Sequence, residues 1–133
     1  MRRNFLGRHF IAEFYNCSSS IIDDVNAVEK IMTDAALLSG TNIIRPFFHT
    51  FSPQGVSGII VISESHFAVH TWPEHSYAAV DLFSCSDFNY RKALTHIRDE
   101  FKSQDYSVRL IKRGLAVETG EEDQPAELEC INI

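Results

Sequence analysis

Between Val56 and Cys85 the chain reads VSGIIVISESHFAVHTWPEHSYAAVDLFSC, three apolar, β-branched runs with almost nothing between them. The runs 56–63, 66–72 and 77–85 each read as a strand, and Pro73 ends the second. Strands this close in sequence commit the middle of the chain to a sheet. The flanks extend it: FLGRHFIAEFYN (5–16) and TNIIRPFFHTF (41–51) precede it, and YSVRLIKRG (106–114) follows. Pro46 marks its strand as an edge or a bulge, and SPQG (52–55) is turn chemistry.

Two segments carry the helical period instead. Over 20–39, Ile22, Val25, Val28, Met32 and Ala35 share a face, Ser20 and Asp23 suggest a capping box, and Gly40 supplies the stop. Over 88–103, Ala93, Leu94, Ile97 and Phe101 share a face, with Asp87 as the expected N-cap. The order β-α-β-β-β-β-α-β predicts an α+β fold: a two-layer sandwich, one mainly antiparallel sheet with both helices on one face. The 133 residues point to a single domain over 1–133, with 116–133 as a flexible tail. Within that tail EEDQPAELEC is acidic, while INI (131–133) is compatible with an added edge strand. A chain of this length has nothing left for the second sheet face, so a partner subunit is expected there.

Strand residues alternate between faces. His66, Ala68, His70 and Trp72 fall on one side, Phe67, Val69 and Thr71 on the other. Tyr77, Ala79, Asp81, Phe83 and Cys85 share a side, as do Ser57, Ile59, Val61 and Ser63. The reactive groups His70, Trp72, Cys85 and Ser57 therefore gather away from the helices. Three readings of them are open. One is a structural sheet with satisfied histidines. A second is a metal site built from His66, His70, His75 and Cys85, which His-x3-His spacing opposes because it spans about 13 Å along a strand. The third is nucleophilic catalysis by Ser, His and Cys. Spacing does not choose among them.

A net charge of −6 disfavours unspecific binding to nucleic acid or anionic membranes. The three widely spaced cysteines, Cys17, Cys85 and Cys130, do not suggest a disulfide framework, so a cytoplasmic location is expected. MRRNFLGRHFIAEF (1–14) lacks a signal-peptide core, and no run is apolar enough to span a membrane.

The run 51–87, FSPQGVSGIIVISESHFAVHTWPEHSYAAVDLFSCSD, resembles the signature region of the short bacterial and archaeal S-adenosylmethionine decarboxylases. LGRH (6–9), AEFYNC (12–17) and SVRLIKRG (107–114) are similar to that family as well, so the likeness covers roughly 5–115. Ser86 stands where the resemblance leads one to expect glycine.

The resemblance implies a proenzyme that cuts itself between Glu64 and Ser65 into a β chain, 1–64, and an α chain, 65–133. The Ser65 hydroxyl would attack the Glu64 carbonyl. Ser57 would steady the intermediate, and His70 would remove the Ser65 α-proton. β-Elimination and hydrolysis would then leave a covalent pyruvoyl group at position 65, the only cofactor implied, with no metal. Its ketone would form a Schiff base with the substrate amine and accept electrons as carbon dioxide leaves. Cys85 would protonate the substrate carbon. Phe51 would stack on adenine, Glu74 would hold the ribose hydroxyls, and Trp72 would form a wall. The family's product, decarboxylated S-adenosylmethionine, donates aminopropyl groups for spermidine. A homodimer with shared sites is also implied, Ser57 and His70 reaching the partner's residue 65 and Cys85. Two alternatives remain: a pyruvoyl decarboxylase of ornithine or arginine, and an uncut regulatory homologue.

Overall fold

The computed structural model describes residues 5–115 and 127–133. Seven strands form one antiparallel sheet: β1 (Gly7–Tyr15), β2 (Asn42–Thr50), β3 (Val56–Ser63), β4 (Ser65–Trp72), β5 (Tyr77–Ser84), β6 (Asp105–Arg113) and β7 (Glu127–Ile131). Their order across the sheet is β2-β3-β4-β5-β1-β6-β7. Among the described residues there are also three helices, α1 (Ser19–Ile22), α2 (Val25–Leu38) and α3 (Tyr90–Glu100), and a 3₁₀ turn at Pro73–His75.

Alternation decides which side is core. Phe10, Ala12 and Phe14 of β1, Ile60 and Ile62 of β3, Phe67 and Val69 of β4, and Ala78, Val80 and Leu82 of β5 point one way and are buried. They form one cluster with Val28, Met32 and Ala35 of α2 and with Ala93, Leu94 and Ile97 of α3. The expected two-layer α+β sandwich, helices on one face, is the observed fold.

Several boundaries differ from the expectations, each for a local reason. The single helix expected over 20–39 is two. The chain breaks at Asp23–Asp24, where Asp24 turns extended and its carboxylate accepts from the backbone N–H of Asn26 and Ala27. Ser18, not Ser20, caps α1 by accepting from Ile21 N–H. Asp23 is drawn away from a capping box because its carboxylate accepts from Gly55 N–H at 2.9 Å. Asn89, not Asp87, caps α3, through Lys92 N–H at 3.0 Å. Gly40 ends α2 as expected, at φ +84°. The expected bulge in β2 lies at Ile43–Arg45, just before Pro46, on an edge strand. Within the expected tail, 116–126 fall outside the described residues. Glu127–Ile131 pairs with β6 and adds the edge strand earlier than INI alone suggested.

Candidate active site

β3 and β4 form a hairpin whose last pair is Ile62 with Ser65, so Ser63 and Glu64 are its two loop residues. The Glu64–Ser65 bond therefore lies at the tip of a tight turn inside the sheet. Ser65 has φ +131°, a backbone region in which a residue with a Cβ is strained and which persists only where its surroundings enforce it. Pairing on both sides does so here, to Ile62 of β3 and to Ser84 of β5.

That second pairing brings in the thiol. The strand expected over 77–85 ends at Ser84, and Cys85 follows it, exposed, one residue beyond the buried Ser84. Its Sγ lies 4.0 Å from the Glu64 carbonyl oxygen and 3.7 Å from the Glu64 carboxylate. The buried Ser84 hydroxyl accepts from Ser86 N–H at 3.1 Å and is 3.0 Å from the Ser86 hydroxyl, which ties down the turn carrying Cys85. Ser86 needs no positive φ there, so serine in place of glycine is accommodated.

Ser57 and His70 meet at the other end of the same hairpin. They are directly paired in register, and Ser57 Oγ lies 2.8 Å from His70 Nδ1. With Nδ1 engaged, Nε2 is the nitrogen open to proton transfer. Thr71 sets this end of the hairpin. Its buried hydroxyl donates to the Ile22 carbonyl at 2.8 Å and accepts from Val56 N–H at 2.9 Å. The following turn is also pinned: Ser19 Oγ donates to the Pro73 carbonyl at 2.9 Å and is 2.9 Å from the Ser76 hydroxyl.

Two adjoining cavities open here on the helix-free face. One, of about 330 Å³, includes Phe47, Phe51, Ser57, Ile59 and His70 in its lining. The other, of about 320 Å³, includes Phe51, Ser57, His70, Trp72 and Glu74. Phe51, Ser57 and His70 belong to both, so Phe51 stands between them. Its position is set by Phe51 N–H donating to the Gly55 carbonyl at 2.8 Å, which closes the 51–55 loop.

The residues singled out in the sequence thus form two groups. Glu64, Ser65 and Cys85 meet at the hairpin tip, and Phe51, Ser57, His70, Trp72 and Glu74 meet at its far end. Five residues of strand separate Ser65 from His70, about 16 Å. His75 lies in the 3₁₀ turn and joins neither group. The four-residue metal set of His66, His70, His75 and Cys85 does not assemble. Among the described residues the donors that cluster are His9, His66 and Asp81. Sequence reasoning missed that trio because its members are joined only by strand pairing. The one signal for it was the placement of an Asp and a His on facing sides of neighbouring strands.

The other thiols are unlike Cys85. Cys17 is buried, and burial pushes its thiol up to about 11 despite a partly offsetting hydrogen bond with Ser103. Cys130 lies exposed on β7.

The sequence signature of S-adenosylmethionine decarboxylase spans residues 8–114. The S-adenosylmethionine decarboxylase proenzyme of Moorella thermoacetica is 51% identical over 111 residues, 83% of this chain and 89% of that protein. The proenzyme of Carboxydothermus hydrogenoformans is 48% identical over 126 residues, 94% of this chain and 99% of that one. Among solved structures, the adenosylmethionine decarboxylase of Aquifex aeolicus superposes with a TM-score of 0.79 at 27% identity, covering 91% of this chain and 98% of that one. Sequence signature, close relatives and fold converge: the chain belongs to the S-adenosylmethionine decarboxylase family.

Proposed function

We propose that this chain is the proenzyme of a pyruvoyl-dependent S-adenosylmethionine decarboxylase that cuts itself between Glu64 and Ser65. The observation that carries the reading is the hairpin tip, where a strained Ser65 follows a Glu64 carbonyl that faces the Cys85 thiol. A serine hydroxyl is a weak nucleophile unless geometry assists it. At Ser65 the turn holds the hydroxyl-bearing residue against the carbonyl it must attack, so positioning supplies much of the rate. Attack moves the acyl group of Glu64 from nitrogen to oxygen. Removal of the Ser65 α-proton by His70 then expels the Glu64 carboxylate, and loss of ammonia by hydrolysis leaves a ketone at residue 65.

The half-buried tip suits a small, covalently held keto group, and its backbone partners Ile62 and Ser84 would hold it. Once formed, the pyruvoyl group is the electron sink for loss of carbon dioxide. The chain's own residues do the rest. Phe51 and Trp72 offer aromatic faces to the adenine and to the positive sulfonium. Glu74 accepts from the ribose hydroxyls. Cys85 returns a proton to the substrate carbon, which its place beside the 64–65 bond supports. The product is decarboxylated S-adenosylmethionine, the aminopropyl donor for spermidine synthesis.

The working unit is a homodimer with two shared sites. His70 and Ser65 of one chain are about 16 Å apart, so a second copy must bring Ser57 and His70 to residue 65. The helix-free face is suited to such a partner, with Phe47 66%, Ile59 40%, Val61 41% and Trp72 41% exposed on it. Three widely spaced cysteines, without the pattern of a disulfide framework, support a reducing, cytoplasmic setting. No helix among the described residues is long and apolar enough to cross a membrane.

Intact mass of purified protein, before and after borohydride, tests the reading. Two chains, 1–64 and 65–133, are expected, the second gaining two hydrogens on reduction and losing activity. Active protein with an unbroken 64–65 bond and no reducible carbonyl would refute it.

A further inference from the structure

None of the steps above uses His9, His66 or Asp81, yet the three close into a network. The Asp81 Oδ2 atom accepts from His9 Nε2 and from His66 Nε2, each at 2.8 Å. The Arg113 guanidinium lies 3.3 Å from His9 Nδ1. A guanidinium only donates, so Nδ1 is the acceptor and the His9 proton sits on Nε2, facing Asp81. Burial pushes the Asp81 carboxyl up, but the hydrogen bonds from His66 and His9 outweigh it and hold the group well below the usual carboxylate range. Both imidazoles pack on Phe83, with ring centroids 5.1 and 6.0 Å away, and Arg113 covers the same ring at 4.8 Å.

A transition metal is the obvious competing occupant. The three donor atoms lie within 4.8 Å of one another, and two histidines with a carboxylate form a recognised donor set. Arg113 argues against it. A metal on His9 Nε2 would move the ring proton to Nδ1, where it would meet a guanidinium instead of the acceptor that metal-bound histidines use.

The position of the network is informative. It ties together β1, β4 and β5 on the helix-free face. His66 directly follows Ser65, and Asp81 precedes Cys85 by four residues on the strand that leads to it. Cutting the 64–65 bond would turn residue 65 into a chain terminus. It would then lose its covalent hold on β3 and also its backbone N–H, which the ketone oxygen replaces. Chain ends fray unless tied down, and the His66 imidazole is the first side chain beyond the cut that is anchored to another strand.

We propose that Asp81 is a positioning residue: acting through His66, it holds residue 65 beside Cys85, in its strained conformation before the chain is cut and as the new chain end afterwards. This rests on the pyruvoyl reading above. The test compares Asp81→Ala, His66→Ala and His66→Gln with wild type, using the folded fraction of each from gel filtration. Self-cleavage is followed by intact mass, kcat and KM are measured on processed protein, and bound metal is counted by elemental analysis. In Asp81→Ala and His66→Ala, cleavage rate and kcat should fall about tenfold to a hundredfold, the scale of a misplaced reacting group. KM should stay within about twofold. His66→Gln places an amide N–H where Nε2 stood and should recover most of the loss.

Three results would overturn the role: wild-type cleavage and turnover in both alanine variants, a His66→Gln variant no better than His66→Ala, or one equivalent of metal in wild type that Asp81→Ala lacks. If Asp81→Ala fails to fold, the His66 pair decides. Wild type that never cuts would remove the pyruvoyl reading itself. Wild type that cuts while Asp81→Ala keeps pace would remove only the role of Asp81.

Discussion

The proposed homodimer, in which each site is shared between two copies of the hairpin, has a quantitative consequence. His70→Ala and Ser65→Ala should each be inactive as pure homodimers, the first for want of the base and the second for want of the nucleophile. In a mixed dimer the two defects separate. The His70→Ala chain keeps its own Ser65 and Cys85 and receives an intact His70 and Ser57 from the partner, so one of the two sites is whole. Random assembly of equal amounts makes about half the dimers mixed, each with one working site of two, so co-expression should restore about a quarter of wild-type activity. Were the site built within one chain, His70 would have to cross about 16 Å of strand to reach Ser65, and no mixture could repair it. The assay is co-expression with two different affinity tags, tandem purification of the mixed species, and measurement of chain cleavage and carbon dioxide release. In the tandem-purified dimer about half of wild-type turnover is expected, with only the His70→Ala chain cut. Inactivity of a correctly folded, tandem-tagged dimer would refute the shared site, and so would full activity in His70→Ala alone.

Thr71→Val should destabilise the protein by about 2–4 kcal/mol in urea denaturation, because Val56 N–H and the Ile22 carbonyl lose a buried partner together. Thr71→Ser should lose much less, and equal stabilities for the two would show the hydroxyl to be dispensable. Glu74→Gln should raise KM about tenfold while leaving chain cleavage at the wild-type rate, as expected for loss of one charge-assisted hydrogen bond to substrate; unchanged KM would remove the ribose contact. Cys17, whose thiol burial pushes up to about 11, should resist alkylation at pH 8 in folded protein while Cys85 and Cys130 react, which peptide mapping reads directly. An unfolded chain ionises that thiol near its ordinary value of 9.0 while the folded one keeps its proton, so Cys17 makes stability fall as pH rises from about 9 toward 11. A Cys17→Ser variant should show a flatter alkaline limb in thermal melts.

The two periods in the sequence were enough to reveal the sheet, the helices and the side of each strand that faces the core, because alternation and helical spacing are local properties of the backbone. They also placed Ser57 and His70 on the helix-free face, where the structure has them. The helix break at Asp23–Asp24 was harder to read, since a hydrophobic stripe continues through it and only the pull of Gly55 N–H on Asp23 shows why the chain turns. What local pattern could not supply was register. Cys85 comes to Glu64 only because Ser65 pairs with Ser84, and His9 comes to Asp81 only because β1 lies beside β5, an order that sequence distance does not imply. A shift of one residue in either pairing would send those side chains to opposite faces while leaving each strand's own pattern intact. The sequence alone therefore determined which groups are present and on which face they fall; the tertiary structure decided which of them touch, because contact across a sheet depends on how strands are aligned and ordered.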